Sequence, residues 1–580
     1  MLLKEFIKCI GQYKKATILT PLFTALEVIF EVAIPFVLAK LIDYGIEAGN
    51  MEAIYYYGAI LVVIAILSLL SGIAAARASA ISSTGFAANL REREYEKVQQ
   101  FSFANLDHFT TAGIITRLTT DVNNVQMAFM MVTRIAVRVP LMLVFALAMA
   151  IGIHAKLALV FVAIVPILAA GLFLIIKYVH PIFERAFKKY DVLNRVVQEN
   201  IQGIRVVKAF VREDYENEKF RQTSQGMFRD FSAAERLLAL NSPIMQFAVY
   251  SAMILLSWFG AKFIVLGSLT TGELMSMFSY TMQILASLMM LSMIFVMLTM
   301  SKASVERIYQ IFAEKVDLQE PPNGKTEVET GEIVFENVSF SYQNDKEKEC
   351  LQQINLTIEP GSTIGIIGGT GSGKSSLVQL IPRLYDVEEG RVLVGGADVR
   401  NYRLDALRGQ VAMVLQKNTL FSGTIKENLR WGNENATDEE LLWAAKLAQA
   451  DEFVQNMPQG YDTYIEQGGS NVSGGQKQRL CIARALVKKP KILILDDSTS
   501  AVDTKTDALI RKAFMEELPQ TTKIIIGQRI SSIQDADRII VLDNGRISGI
   551  GTHEELLKTN EIYREIEVSQ RKGGDFDAAS

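Results

Sequence analysis

The chain has 580 residues, of which 49% are hydrophobic and 21% charged, and a formal net charge of −4. That length exceeds one ordinary domain, and the charge balance carries no global basic signature, so nucleic acid is not expected as a partner. Three cysteines and four histidines, scattered along the chain, argue against a zinc or disulfide framework.

Met1–Lys15, with KEFIKCIGQYKK, reads as a short amphipathic helix lying on a membrane surface. Six apolar runs follow, near residues 16–42, 53–80, 127–153, 157–180, 241–266 and 273–300. Each reaches the ~20 residues that a helix needs to cross a bilayer. The connections at 44–50, 154–156 and 267–272 are short and carry little positive charge. Arg91, Arg93, Lys97 and Arg117 lie between the second and third runs, and Arg185, Lys188, Lys189, Arg195, Arg205 and Lys208 between the fourth and fifth. The positive-inside rule places those two segments and both chain ends in the cytoplasm. Both segments read as polar helical extensions of the spans.

EPPNGK breaks the helical pattern, which gives a membrane domain over 1–318 and a linker over 319–330. From 331 to 570 strands alternate with helices, the pattern of an α/β domain with a largely parallel sheet. The tail 571–580 reads as disordered. The expected fold is thus a six-helix membrane bundle with long cytoplasmic extensions, followed by an α/β P-loop domain.

STIGIIGGTGSGKSSL carries the spacing G-x(4)-G-K-S from Gly368 to Ser375, between a strand and a helix. Glycines let the backbone, here Gly368, Thr370, Gly371, Ser372 and Gly373, wrap phosphates with its N–H groups. Lys374 supplies charge to the terminal phosphates, the Ser375 hydroxyl is a magnesium ligand, and Ser376 follows in the helix. Asp496 closes the apolar run KILIL, where P-loop proteins hold magnesium. ATP and Mg²⁺ are the expected cofactors.

NVSGGQKQRLCIARAL (471–486) resembles the signature of ATP-binding cassette (ABC) ATPases, with Val472 in place of the usual Leu. The resemblance implies further roles. Tyr342 is similar to the aromatic that stacks on adenine, Gln416 to the magnesium-touching lid glutamine, and Asp503 to the D-loop aspartate. Six spans and one such domain resemble an exporter half-transporter in a plasma membrane, bacterial by its compact architecture. In that family two nucleotide domains pair head to tail. Ser473, Gly474, Gly475 and Gln476 would then cover ATP held by the other subunit.

Two further positions depart from the family pattern. Asp497 stands where hydrolysing members carry Glu, and Gln528 where they carry a switch histidine. Loss of one methylene withdraws the carboxylate by roughly 1.5 Å, and misplacement on the order of 1 Å can cost ~10² in rate. Glutamine cannot take up a proton. The expectation is a P-loop site that binds ATP but cleaves it slowly, paired with a different half-transporter that carries Glu and His. A homodimer is the alternative.

In the membrane half, GIITRLTTDV (113–122) and NIQGIRVVKAFVRE (200–213) resemble the family's coupling helices. Glu27 and Glu31 share one face of the first span, and Arg134 and Arg138 one face of the third. Charges at membrane depth face a partner or a cavity, so these residues are either an ion-pair set or a cation site. The sixth run is rich in methionine, which suits an adaptable binding surface, and the expected cargo is hydrophobic or amphipathic. A dedicated lipid or peptide exporter is the rival reading.

Overall fold

The computed structural model describes residues 2–342, 348–498 and 501–577. They form two compact units, residues 1–99 with 110–314, and residues 100–109 with 315–580.

The first unit is helical. Among the described residues five helices are long and apolar enough to cross a membrane. The third and fourth apolar runs share one of them, because Ala136–Gln202 continues through a break at His154, where φ is −154° and ψ is 100°. There the Leu157 N–H donates to His154 Nδ1 at 3.1 Å, capping the second half where the helical ladder is interrupted. Helix Lys14–Leu41 holds Pro21 and Pro35 in its interior. Proline removes a ladder bond and loosens the helix around it. Close to Pro35, helix Thr271–Ala313 supplies donors: the Ser276 hydroxyl to the Pro35 carbonyl at 2.6 Å and the Tyr280 hydroxyl to the Val32 carbonyl at 2.9 Å. First and sixth spans are thereby locked together by buried hydrogen bonds.

The N-terminal helix, Leu2–Lys8, packs one side on protein and leaves Ile7 exposed. Glu5 pairs with Arg93 at 3.0 Å, Asn89 Nδ2 donates to the Cys9 carbonyl at 2.9 Å, and Cys9 is fully buried. Its apolar side packs on the cytoplasmic extension of helix Met51–Gln99 together with Phe86 and Leu90.

In the second unit a six-stranded sheet runs in the order Arg546–Gly551, Arg538–Asp543, Thr363–Gly368, Thr522–Ile526, Ile492–Asp496, Val411–Val414. All its pairings are parallel except that of the Arg546–Gly551 edge. An antiparallel four-stranded sheet, in which Ile333–Phe340 lies between Leu351–Ile358 and Glu389–Val394, shares a core with one face of it. The central strands are buried Ile/Leu/Val runs, as parallel strands covered on both faces require.

Three sequence expectations change. The linker at 319–330 is packed: Val328 is fully buried, and Lys325 exchanges main-chain bonds with Asn401 and Arg403 at 2.8 and 3.0 Å. The first candidate coupling segment, 113–122, does not group with the nucleotide unit. Residues 113–122 fold within the membrane unit, where Arg117 donates to the Arg307 carbonyl and Asp121 pairs with Arg307 and Ser304. The piece that belongs with the nucleotide unit is 100–109. There helix Phe103–His108 is held by a Ser102–Asn105 capping box and by Tyr385, which donates to Asp107 at 2.7 Å. A six-residue helix is too short to show an amphipathic period, which is why the longer stretch downstream attracted the assignment. The tail is helical to Asp577, since extending a formed helix costs little per residue. Residues 578–580 lie outside the described residues.

Candidate nucleotide site

Three adjacent parallel strands deliver the site by ending together. Ile526 lies opposite both Ile366 and Asp496 in the sheet. One residue later the Asp497 N–H donates to the Ile526 carbonyl at 3.1 Å and the Gly527 N–H to the Ile366 carbonyl at 3.2 Å. The phosphate loop, the two aspartates and the switch segment are thus set side by side at the carboxyl edge of the sheet, where α/β proteins bind ligands.

The loop's glycines are needed where side chains would collide. A Cβ on Gly373, at φ +95°, would lie 2.7 Å from the Cys350 carbonyl oxygen, and one on Gly368 would lie 2.1 Å from that of Leu542. Gly369 and Gly371 meet nothing within 4 Å, so the loop keeps an open side. Lys374 folds back onto that loop, its Nζ donating to the carbonyls of Gly368 at 2.9 Å and Gly369 at 2.8 Å. Burial pulls its pKa down, against the pull of Asp496 and Asp497.

Ser375 Oγ donates to Asp496 Oδ1 at 3.0 Å. These two hard oxygens, from residues 121 apart in sequence, suit a magnesium ion, which prefers carboxylate and hydroxyl ligands with retained waters. Burial raises the Asp496 pKa, a cost that a bound cation would relieve. The tyrosine before the loop is tied to it as well. Tyr342 shares hydrogen bonds with Ser376 at 2.9 Å and Gln379 at 3.2 Å, and the residue is 41% exposed. Its ring meets that of Tyr385 edge-on with centroids 5.1 Å apart.

Asp497 sits at φ +49°, a left-handed conformation that Asp enters more cheaply than most side chains. Its Oδ2 accepts from Gln528 Nε2 at 2.7 Å and from Gln416 Nε2 at 3.5 Å. The two residues that depart from the expected pattern are therefore bonded to each other. Burial raises the Asp497 pKa, and the two amides offset part of that.

On another surface of the unit, Ser473 caps helix Gly474–Val487. Its Oγ accepts from the Gln476 N–H at 3.3 Å, and Gln476 Oε1 accepts from the Ser473 N–H at 3.0 Å. Gly475 lies against the Ala501 carbonyl, and the Ala501 N–H donates to Gln478 Oε1 at 3.0 Å. Asp503 caps helix Thr504–Glu517 through the Thr506 N–H at 2.9 Å. Gln478, unremarked in the sequence, is what joins the signature helix to the D-loop.

Residues 17–288 match the family described as ABC transporter transmembrane region, and residues 351–500 the family described as ABC transporter. The uncharacterized ABC transporter ATP-binding protein YfiB of Bacillus subtilis is 35% identical, over 95% of this chain and 96% of its own. The uncharacterized ABC transporter ATP-binding protein MT1311 of Mycobacterium tuberculosis is 36% identical over 98% of each. The chain belongs to the ABC transporter family. A solved bacterial Atm1-family ABC exporter with ATP bound superposes with a TM-score of 0.80 over 97% of this chain and 99% of that one, at 24% identity, which shows a common fold. This ABC transporter is a multi-pass membrane protein whose nucleotide-binding domain lies in the cytoplasm, and it is an ATPase that couples ATP and Mg²⁺ to transport.

In its membrane unit, Arg138 bridges Glu27 at 2.5 Å and Glu31 at 2.6 Å, while Arg134 makes no such pair among the described residues. Glu27 Oε2 is buried without a hydrogen-bond partner. The ion-pair set is therefore present with one arginine rather than two.

Proposed function

We propose that this chain is one half of an asymmetric ABC exporter, paired with a different half-transporter and carrying the slower of two ATP sites. The observation that carries this reading is the Asp497–Gln528 hydrogen bond at 2.7 Å. A base that polarises water must present a lone pair beside the γ-phosphate. Here the carboxylate is one methylene short, and the amide that orients it through Oδ2, Gln528, cannot take up a proton. When bound, MgATP supplies the scissile phosphoanhydride bond. The chain's residues would wrap its phosphates (Gly368–Gly373), neutralise them (Lys374), hold the metal (Ser375, Asp496, Gln416) and seat adenine (Tyr342). All of these are intact, so nucleotide binding is retained while cleavage is slow.

What the chain offers its mate is also intact. The Ser473 capping box and Gly475 are built as a γ-phosphate cover for the partner's ATP. The tip at Ile204–Ala209 leaves Phe210 and Val211 at 73% and 80% exposure, an apolar end suited to the other subunit's nucleotide domain. This chain's own domain has a groove of about 370 Å³, rimmed by Leu415 and the stacked pair Phe421 and Trp431, that could receive the reciprocal tip. Methionines 275, 282, 289, 290 and 293 are exposed on the sixth span and support an amphipathic small-molecule cargo moved outward. The Arg138 bridge favours a structural ion-pair set over a cation site in the cargo path.

The test is Asp497→Asn in the purified complex. The expected loss of steady-state ATP turnover is less than about threefold, because the partner's site carries the flux. A loss of two orders of magnitude would make Asp497 the working base and refute the asymmetry.

A further inference from the structure

The switch segment leaves the sheet after the Gly527 N–H donates to the Ile366 carbonyl, and main-chain bonding resumes where the Arg529 carbonyl accepts from the Ser532 N–H. Between those points lies Gln528, whose side chain meets Asp497. The gap is bridged from another element. Gln570, on the C-terminal helix Glu561–Asp577, donates from Nε2 to the Gln528 carbonyl at 2.7 Å and accepts at Oε1 from the Ile530 N–H at 2.9 Å. One side-chain amide thus pairs with the backbone on both sides of Arg529, as a neighbouring strand would.

The helix that carries it is firmly seated. Asn560 Oδ1 accepts from the Tyr563 N–H at 2.9 Å and Asn560 Nδ2 donates to Ser548 at 3.1 Å. The Tyr563 hydroxyl bonds His553 at 2.7 Å, and the Tyr563 side chain is fully buried. Ile562 and Ile566 pack on the same core cluster as Ile530 and Ile533. Ile566 and Gln570 are four residues apart, so the face that buries the helix also aims Gln570 at the switch.

We propose that Gln570 is a positioning residue for hydrolysis: it fixes the backbone at 528 and 530, and so holds the Gln528 amide on Asp497. Its effect passes through Gln528, which makes the C-terminal helix a structural arm of this chain's own P-loop site. The inference rests on that site being a nucleotide site, and it does not depend on whether the second subunit is a different chain.

The test uses the full-length chain in lipid nanodiscs with two readouts. The first is amide hydrogen exchange across 526–533 without nucleotide. The second is single-turnover cleavage of radiolabelled ATP with magnesium, alongside ATP affinity. Gln570→Ala is expected to speed exchange of the Ile530 amide about tenfold or more, with peptides around Tyr563 unchanged. Cleavage is expected to fall about tenfold at unchanged ATP affinity. Gln570→Glu keeps the acceptor for Ile530 but loses the donor to the Gln528 carbonyl, so its loss lies between Gln570→Ala and the unmodified chain. In a Gln528→Ala background, Gln570→Ala loosens the segment but costs no further cleavage. Unchanged exchange, cleavage at the unmodified rate despite a loosened segment, or a full additional loss in the double variant would each overturn the proposal, as would a chain with no cleavage to position. Fast turnover in the unmodified chain would count against the slow-site reading alone, since the ratio between variants would still report on Gln570.

Discussion

The nucleotide domain has two working surfaces, and they differ in how far each keeps the family pattern. The P-loop surface has its binding parts in place but joins a shortened carboxylate, Asp497, to an amide, Gln528. The signature surface keeps its serine cap, and Gln478 ties its helix to the D-loop. A subunit that had simply decayed would lose both. On the proposed pairing, losses at the surface the chain uses itself, beside a lent surface altered only at Val472, are what an asymmetric pair requires.

The largest expected effect breaks the lent surface. Gly475→Asp puts a side chain where even a Cβ would lie 2.9 Å from the Ala501 carbonyl oxygen and, on the proposed pairing, turns a negative charge towards the partner's ATP. Steady-state turnover of the complex should drop about 10³-fold. Lys374→Ala, which cripples this chain's own site, should cost about tenfold or less. Equal losses, read by coupled ATPase assay, would erase the distinction between the surfaces.

A smaller effect contrasts the two units. Glu94 is fully buried on the cytoplasmic extension beyond the second span, and neither of its carboxylate oxygens has a hydrogen-bond partner. Burial, then the neighbouring Asp121, pushes its pKa from the ordinary 4.5 up to about 8, against Arg117 and Arg91. The folded chain therefore holds a proton that the unfolded chain releases between those values. This contribution is complete below pH 4.5 and is lost as pH rises towards 8. Glu94→Gln should leave Tm nearly unchanged near pH 5 and raise it by several degrees at pH 8, as measured by scanning fluorimetry in detergent. A Tm gain confined to low pH would show the sign to be wrong.

What the sequence could reveal follows from how local each feature is. The phosphate loop, Asp496 and the signature were legible because each is a contiguous run whose chemistry demands those residue types. The apolar runs were legible by length, although their pairing through Tyr280 and Ser276 was not. Gln570 lies 42 residues from Gln528 and bonds to backbone groups there, so no pattern of side-chain types announces it. Glu94 belongs to no motif in the sequence, and only three-dimensional packing shows it sealed from water. Arg134 and Arg138 were equivalent by spacing. Packing chose Arg138 to meet Glu27 and Glu31, a selection that sequence interval does not reveal. The 100–109 segment was missed because six helical residues hold too little periodicity to read.

The central claim is tested most directly by phosphate release from the purified chain alone, compared with the same chain carrying Asp497→Glu and Gln528→His. Restoring reach and a proton acceptor should raise release by ~10²–10³ at unchanged ATP affinity. If the unmodified chain already releases phosphate as fast as the repaired one, its own site is not slow and the asymmetric scheme fails.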